Sequence, residues 1–214
     1  MRISKEAVIL GAIGVGVIAF VGFLIWQNPQ TNSSAGVDQS LLLTNAKHLT
    51  GQKNAKVVLV EFGDYQCPAC GLVHPILKEV TDMYKDKDFT FVFRNFPLPQ
   101  HQNAIIAAEA AEAAGAQGKY WEMHDKLFEK QNEWSESADP LTIFLGYARE
   151  LNLDVNQFQK DVLGNAYTSI IQTDQQDGNK LFLNHTPTVY LNGEEIEDVS
   201  LQNLKSRIDA VLAK

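Results

Sequence analysis

Residues 56–80 carry the sequence KVVLVEFGDYQCPACGLVHPILKEV, in which an apolar run leads into a cysteine pair and then into a helical pattern. The run from Lys56 to Gly63 is short, rich in β-branched residues and ends in glycine, which predicts a buried strand. A helix is predicted from Cys67 to about Tyr84, and Pro75 is expected to kink it by removing one backbone donor. The inward face of this helix is expected to carry four apolar residues at helical spacing, namely Leu72, Ile76, Val80 and Met83.

The chain contains two cysteines, Cys67 and Cys70, at the point where the predicted strand gives way to the helix. The start of a helix offers unpaired backbone N–H donors and the positive end of the helix dipole, and both favour a thiolate on Cys67. Only a thiolate attacks or leaves in disulfide exchange, so Cys67 is predicted to be the reactive sulfur and Cys70 the resolving one. Pro68 falls in the first turn, where a missing N–H costs no hydrogen bond.

A long helical region is predicted after the second strand. That strand is expected at Phe89 to Phe96, and from about Gln102 to Lys180 the chain has only helical patterns. Start and stop signals divide the region into five segments: Asn103 to Gln117, Tyr120 to Gln131, Leu141 to Leu151, Val155 to Leu163, and one that ends near Asp177. Asp139 is expected to cap the third segment, with Pro140 at its first position.

The chain then returns to β-structure. A strand is predicted at Thr188 to Leu191, followed by the hairpin signal Asn192-Gly193 and a second short strand near Glu195 to Val199. A last helix is expected from Ser200, with four residues facing inward: Leu201, Leu204, Ile208 and Leu212. The predicted order is therefore β-α-β, a helical insertion at about residues 102–180, and β-β-α.

The N-terminal segment predicts a membrane anchor. Residues 7–26 contain no charged side chain, and a helix of that length spans about 30 Å of hydrocarbon. Arg2 and Lys5 precede it and the next basic residue is Lys47, so the positive-inside rule puts residues 1–6 in the cytoplasm and the rest of the chain outside. A cleaved signal peptide ending at Ser33-Ser34-Ala35 is the alternative, although the apolar run exceeds the usual length of about 7–15 residues. Both interpretations put the domain in a compartment that permits disulfides.

Composition and charge limit the domain organisation and the partners. Residues 27–40 are polar and predict a linker, and residues 41–214 have the length of one domain. A net charge of −8 and a pI of about 5.1 argue against nucleic-acid binding, which needs a basic face. Six carboxylates in the last third of the chain could form a cation site but are interpreted as scattered surface groups, which usually bind no ion: Asp174, Asp177, Glu194, Glu195, Glu197 and Asp198.

The cysteine pair has two further interpretations, an inert buried pair and a metal site. A c-type haem is excluded because Gly71, and not histidine, follows Cys70. Zinc would need two more ligands from histidines that form no recognisable ligand pair in the sequence: His74, His101, His124 and His185. Two isolated cysteines at this spacing in an exported domain favour a redox pair.

The stretch EFGDYQCPACGLVHPILKEV resembles the active-site strand, motif and kinked helix of the thioredoxin superfamily. His185-Thr186-Pro187-Thr188 is similar to that family's Thr-Pro segment, whose proline is cis and packs against the active-site disulfide. The helical insertion and the Cys-Pro-X-Cys motif, together with RNFPL at residues 94–98 and GKYWEMHDKLFE at residues 118–129, resemble the anchored, exported branch of the DsbA-like disulfide oxidoreductases. The expected fold is therefore α/β and thioredoxin-like, with a helical insertion between its two halves and one transmembrane helix before them.

The resemblance implies roles for further residues. Glu61 lies where the family has an acidic residue beneath the disulfide, and it is a candidate proton relay to Cys70; a strand-end carboxylate that faces water is the alternative. Pro187 is expected to be cis, and Thr186 to offer its backbone to an incoming peptide. Pro68, Ala69 and His185 are expected to line the substrate groove, with a solvated loop residue as the alternative for His185. Ala69 departs from the best known members, which have a histidine there that helps to hold the thiolate, so a potential between those of thioredoxin and DsbA is expected.

The function implied is disulfide formation in exported proteins through the redox pair Cys67 and Cys70, without a cofactor. The expected partners are exported proteins with free thiols and a quinone-linked thiol oxidase in the membrane that reoxidises the pair. Two alternatives remain: a disulfide reductase or isomerase, and a tethered module that uses the same cysteines to bind a metal.

Overall fold

The computed structural model describes residues 36–214. The predicted anchor at residues 7–26, the segment before it and residues 27–35 of the predicted linker lie outside the described residues. None of the helices in the described part of the chain is both long and apolar enough to cross a bilayer.

A five-stranded mixed sheet organises the described residues, with strand order β1-β3-β2-β4-β5. The central strand β2 pairs in parallel with β3 and antiparallel with β4. Every residue of β2 and β3 is buried, as expected of strands covered on both faces. The strand bounds are β1 His48–Gly51, β2 Val57–Gly63, β3 Phe89–Asn95, β4 Thr188–Leu191 and β5 Glu194–Glu195.

The helices follow the predicted order and share much of the core. The crossover helix α2 connects β2 to β3, six helices form the insertion, and α9 ends the chain. Their bounds are α1 Gln39–Leu43, α2 Pro68–Tyr84, α3 Ala104–Ala116, α4 Tyr120–Glu129, α5 Gln131–Trp134, α6 Pro140–Glu150, α7 Val155–Leu163, α8 Thr168–Lys180 and α9 Leu201–Leu212. The insertion therefore contains α3 to α8 and ends before β4.

Alternation along β2 divides the core between the two faces of the sheet. Val57 and Leu59 belong to the larger hydrophobic cluster, together with both cysteines and with residues of the insertion and α9. Val58 and Phe62 belong to a smaller cluster on the other face, which α1 covers with Leu42. Because successive side chains of a strand point to opposite faces, Glu61 shares the face of Val57 and Leu59, which is the face of the cysteines.

Several local predictions are confirmed. Asp139 caps α6 and accepts a hydrogen bond from the backbone N–H of Thr142, with Pro140 at the first helical position. Ser200 caps α9. Asn192 and Gly193 both have positive φ, at 50° and 88°, as a tight hairpin of this sequence requires.

The folded domain begins before the expected boundary at Leu41. The backbone N–H of Val37 donates to the carbonyl of Gly193 at 2.8 Å, and α1 starts at Gln39 behind its cap, Asp38. A side chain at position 193 would lie 2.2 Å from the Val37 carbonyl oxygen, so only glycine permits this contact. The last residues of the predicted linker therefore pack on the hairpin.

Two predictions about the elements need correction, and some short elements were not predicted. The strand expected near Glu195 to Val199 is limited to Glu194–Glu195, since β5 lies at the edge and pairs with only two residues of β4. The face predicted for α2 is wrong for Leu72, which is 76% exposed, and for Met83, which is 41% exposed. Val80 is buried as predicted, and the rest of the buried face of α2 is made by Cys70, His74, Leu77 and Tyr84. Neither α1 nor β1 was predicted, because each is short and half exposed.

Candidate active site

The two cysteines occupy the start of α2, directly after the central strand. Cys67 is the N-cap of α2 and has extended backbone angles, and Pro68 stands at the first helical position. Cys70 lies in the first turn and is fully buried, whereas Cys67 has a small exposed surface. No disulfide joins the two sulfurs in this structure. The strand-to-helix placement predicted from the sequence is therefore observed.

Hydrogen-bond donors around Cys67 favour its thiolate. The Cys70 thiol is the strongest of them, followed by the Thr186 side chain and the backbone N–H groups of Cys70 and Ala69, and together they outweigh burial and lower the pKa of Cys67 to about 5. In its thiol form Cys67 donates to the carbonyl oxygen of Thr186 at 3.4 Å. The Thr186 hydroxyl is buried and has no hydrogen-bond partner in the described chain, so it is available to a thiolate. Cys67 is thus the sulfur suited to attack and to leave.

The environment of Cys70 has the opposite effect. Burial, the hydrogen bond with Cys67 and the nearby charge of Glu61 raise the pKa of Cys70 well above its usual value. The backbone N–H of Asp64 donates to the Cys70 sulfur at 3.5 Å and lowers this pKa, but the other effects outweigh it. Cys70 therefore favours the protonated form and requires a proton acceptor before it can attack.

Glu61 is a buried carboxyl on the same face of the sheet. Its side chain is almost fully buried, and Oε1 has no hydrogen-bond partner within residues 36–214. Burial, and then the charge of Cys67, raise the pKa of Glu61 to about 8. The alternative of a carboxylate facing water is wrong, because β3 and β4 flank β2 and helices cover this face. A group that holds its proton near neutral pH can both give and take one.

The predicted substrate residues surround the cysteines on two sides. The Thr186–Pro187 bond is cis, as predicted. Ala69, His185, Thr186 and Pro187 line a groove of about 650 Å³, in which the Glu195 and Glu197 side chains add negative charge. Pro68 lies on the other side of α2 and lines a larger cavity of about 850 Å³. The structure thus groups His185 with the Thr-Pro loop and separates Pro68 from it.

A glutamine that the sequence did not single out holds the cysteine loop in place. The Gln131 side-chain amide, at the start of α5, donates to the carbonyl oxygens of Tyr65 at 2.7 Å and Cys67 at 2.9 Å. Asp64 closes the same loop by accepting from the backbone N–H of Gln66 at 2.8 Å. Neither residue belongs to a motif that indicates this role, since the hydrogen bonds of Gln131 join segments far apart in sequence.

The histidines considered as zinc ligands do not gather at the cysteines. His101 pairs with Asp64 at 2.6 Å, and His185 is exposed. His74 and His124 approach each other instead, with ring centroids 5.3 Å apart. Together with Asp125 they make the one group in the described part of the chain that is compact enough to hold a metal ion.

The chain resembles known proteins both in sequence and in fold. A family profile described as thioredoxin matches residues 43–210. The solved structure of oxidised BdbD from Bacillus subtilis superimposes with a TM-score of 0.71 at 24% identity, over 80% of this chain and 95% of that one. At this identity the match describes the fold.

Two curated relatives differ in how much of their length is matched. A protein of Bacillus anthracis described as probable disulfide bond formation protein D is 26% identical, over the whole of both chains. A Na(+)/H(+) antiporter, NhaA 1 of Mycobacterium sp. (strain KMS), is 40% identical over 152 residues, which are 69% of this chain and 24% of that protein. The chain therefore spans about a quarter of the antiporter's length.

Proposed function

Because this chain belongs to the thioredoxin family, we propose that it is a DsbA-like thiol:disulfide oxidoreductase that introduces disulfide bonds into exported proteins. The observation that supports this function is the contrast between the two cysteines. The pKa of Cys67 is lowered to about 5, while burial raises the pKa of Cys70 well above its usual value. A stabilised thiolate on the outer cysteine stabilises the reduced protein and so makes the disulfide form an oxidant.

The reaction begins with the Cys67–Cys70 disulfide. A substrate thiolate attacks the Cys67 sulfur, which is the more exposed of the two, and the bond to Cys70 breaks. The electron pair leaves on Cys70, whose thiolate is disfavoured by burial and takes up a proton. Glu61 is the buried acid that can supply this proton, since its pKa is raised to about 8.

A second thiolate of the substrate completes the transfer. It attacks the substrate sulfur of the mixed disulfide and expels Cys67 as a thiolate, which the donors at the start of α2 stabilise. The substrate leaves with a disulfide, and the enzyme keeps the two electrons as reduced Cys67 and Cys70. The backbone of Thr186 and the groove lined by Ala69 and His185 hold the substrate segment during both steps.

We further propose that the enzyme works at the outer face of the cell membrane. The uncharged segment at residues 7–26 anchors the domain on the outer side of the cell membrane, with residues 1–6 in the cytoplasm. A quinone-linked thiol oxidase in that membrane removes the two electrons from Cys67 and Cys70 and restores the disulfide. The chain itself uses no further cofactor for the exchange.

Equilibration with glutathione tests the direction of the reaction. We expect a reduction potential between about −270 mV for thioredoxin and about −120 mV for DsbA, read by acid trapping and mass spectrometry. A potential at or below that of thioredoxin would favour the reductase alternative. Cys70→Ser is expected to accumulate mixed disulfides on Cys67, whereas Cys67→Ser is expected to trap none; trapping on Cys70 in the latter would reverse the assigned roles.

A further inference from the structure

A second group of reactive side chains lies where α2 packs against α4. His74 comes from the second turn of α2, and His124 and Asp125 come from α4. One potential ligand atom from each lies within 4.8 Å of the other two. His74 is only 5% exposed, and its Nε2 atom lies 3.6 Å from Oδ1 of Asp125 without any hydrogen-bond partner in the described chain. A buried ring nitrogen without a partner costs free energy, so its surroundings need an explanation.

A small cavity adjoins all three residues. Its volume is about 170 Å³, and Thr81 of α2 and Trp121 of α4 also line it. The Thr81 hydroxyl is a second buried polar atom with no partner among residues 36–214. The two residues that carry these unpaired polar atoms, His74 and Thr81, thus line one cavity that has room for an ion and water.

The histidine rings are held in place by their neighbours. The Tyr65 hydroxyl lies 3.0 Å from Nδ1 of His124. In the tautomer whose Nδ1–H donates to the Tyr65 oxygen, the lone pair of Nε2 is available to a ligand. The Phe128 ring stacks on His74, with centroids 4.9 Å apart. A ring that is oriented through a hydrogen bond on its other nitrogen, as in His124, is typical of metal-binding histidines.

We propose that His74, His124 and Asp125 form a binding site for a divalent ion of the zinc type, separate from the cysteine pair. A tetrahedral zinc ion with bonds of about 2.0–2.1 Å sets its ligand atoms about 3.3 Å apart. The distance of 3.6 Å between His74 and Asp125 is already close to that value. Two imidazoles and one carboxylate leave the fourth position for a water molecule in the cavity, where the Thr81 hydroxyl can accept a hydrogen bond from it.

Lys78 is the cation that competes for this site. Its ammonium group bonds Oδ2 of Asp125 and leaves Oδ1 facing His74. The Lys78 side chain is partly exposed, and its charge opposes a bound cation at this distance. Removal of this charge should therefore strengthen metal binding at this site. The affinity of an unspecific site elsewhere on the chain should not change.

The test measures Zn²⁺ binding to the oxidised full-length chain, because the Cys67–Cys70 disulfide removes both thiolates as ligands. We expect one Zn²⁺ per chain in competition with a chromophoric chelator, and at least a tenfold loss of affinity in His74→Gln and in Asp125→Asn. His185→Gln is the control histidine and should leave the affinity unchanged. Lys78→Met should bind Zn²⁺ more tightly. Bound Co²⁺ should show the absorption of a nitrogen and oxygen site without a thiolate charge-transfer band.

The design remains decisive if one variant does not fold. Asp125 is partly exposed, so Asp125→Asn should keep its circular dichroism spectrum even if His74→Gln does not. The proposal is overturned if the oxidised chain binds no stoichiometric Zn²⁺. It is equally overturned if folded Asp125→Asn binds Zn²⁺ as tightly as the unchanged chain.

Discussion

Folding lowers the pKa of Cys67 and raises the pKa of Glu61. These two shifts make the stability of the reduced chain depend on pH. The pKa of Cys67 falls from 9.0 to about 5 on folding, so its contribution to stability grows as the pH rises through that interval. The pKa of Glu61 rises from 4.5 to about 8, so the folded state holds a proton that the unfolded state has lost. Stability from Glu61 is therefore present below pH 4.5 and is lost as the pH rises toward 8.

Glu61→Gln should remove the pH-dependent cost of burying this carboxyl. At about 1.4 kcal/mol per pH unit, the free energy of unfolding of the variant should exceed that of the unchanged chain by on the order of 4 kcal/mol at pH 8, with little difference at pH 4.5. Urea unfolding of the reduced proteins measures this. Glu136→Gln, at an exposed position, is the control. A difference that stays constant from pH 4.5 to pH 8 would contradict the buried position of Glu61.

Ala69→His should make the protein a stronger oxidant. Ala69 is exposed and its backbone N–H already bonds Cys67, so an imidazole there adds positive charge beside the thiolate. Each further unit of pKa lowering corresponds to about 30 mV in the two-electron potential. Thiolate absorption against pH and equilibration with glutathione measure both quantities. Ala69→Gln is a neutral side chain of similar size, and an equal shift in that variant would rule out charge as the cause.

The positions of the helices and strands could be predicted from the sequence better than the faces that these elements bury. Hydrophobic spacing located α2, but its buried face includes Cys70 and His74, which an apolar pattern does not select. Leu72 is apolar and exposed, beside both the groove of the Thr-Pro loop and the larger cavity. The approach of His74 to His124 could not be predicted either, because it depends on how α2 packs against α4.

The contact between α5 and the cysteine loop should contribute to the stability of the domain. Gln131 donates to two loop carbonyls, and a side chain at Gly71 would lie 2.7 Å from Gln131 Oε1, so α5 and α2 pack closely here. Gln131→Glu replaces the donor with an acceptor and leaves the carbonyls of Tyr65 and Cys67 facing a carboxylate. The loss should be about 1–3 kcal/mol of unfolding free energy.

The neighbouring Asn132 provides the matched control for that change. Asn132→Asp likewise replaces a side-chain amide with a carboxylate, but on an exposed residue of α5. It should shift the free energy of unfolding by about 0.5 kcal/mol or less. Urea unfolding compares the two variants, and the rate of thiol exchange shows whether the loop has moved. Equal stabilities would mean that Gln131 does not hold the loop.

One buried arginine connects β3, α8 and the end of α1, which are distant in the sequence. Arg94 of β3 is fully buried and pairs with Asp174 and Asp177 of α8. It also donates to the carbonyl oxygens of Leu42 and Thr44, at the end of α1. The interpretation of Asp174 and Asp177 as surface carboxylates is therefore wrong. The sequence could not reveal the pairing, since the partners lie about 80 positions apart.

The same network predicts where the domain can be shortened. A chain that begins at Gly36 retains α1, the Val37 contact to the hairpin and both carbonyl acceptors of Arg94. It should fold and exchange disulfides at nearly the rate of the full-length chain. A chain that begins at Lys47 loses the fully buried Leu42 and leaves one guanidinium nitrogen without its acceptors.

The shorter chain should lose more stability than the removal of one apolar side chain explains. Leu42→Ala in the chain from Gly36 isolates the packing loss of about 2–5 kcal/mol, and an unpaired donor on a buried charge adds at least about 1–3 kcal/mol. Urea unfolding midpoints should therefore fall in the order Gly36 start, Leu42→Ala, Lys47 start. If the chain from Lys47 were as stable as the Leu42→Ala variant, the carbonyls of Leu42 and Thr44 would contribute nothing to holding Arg94 in the core.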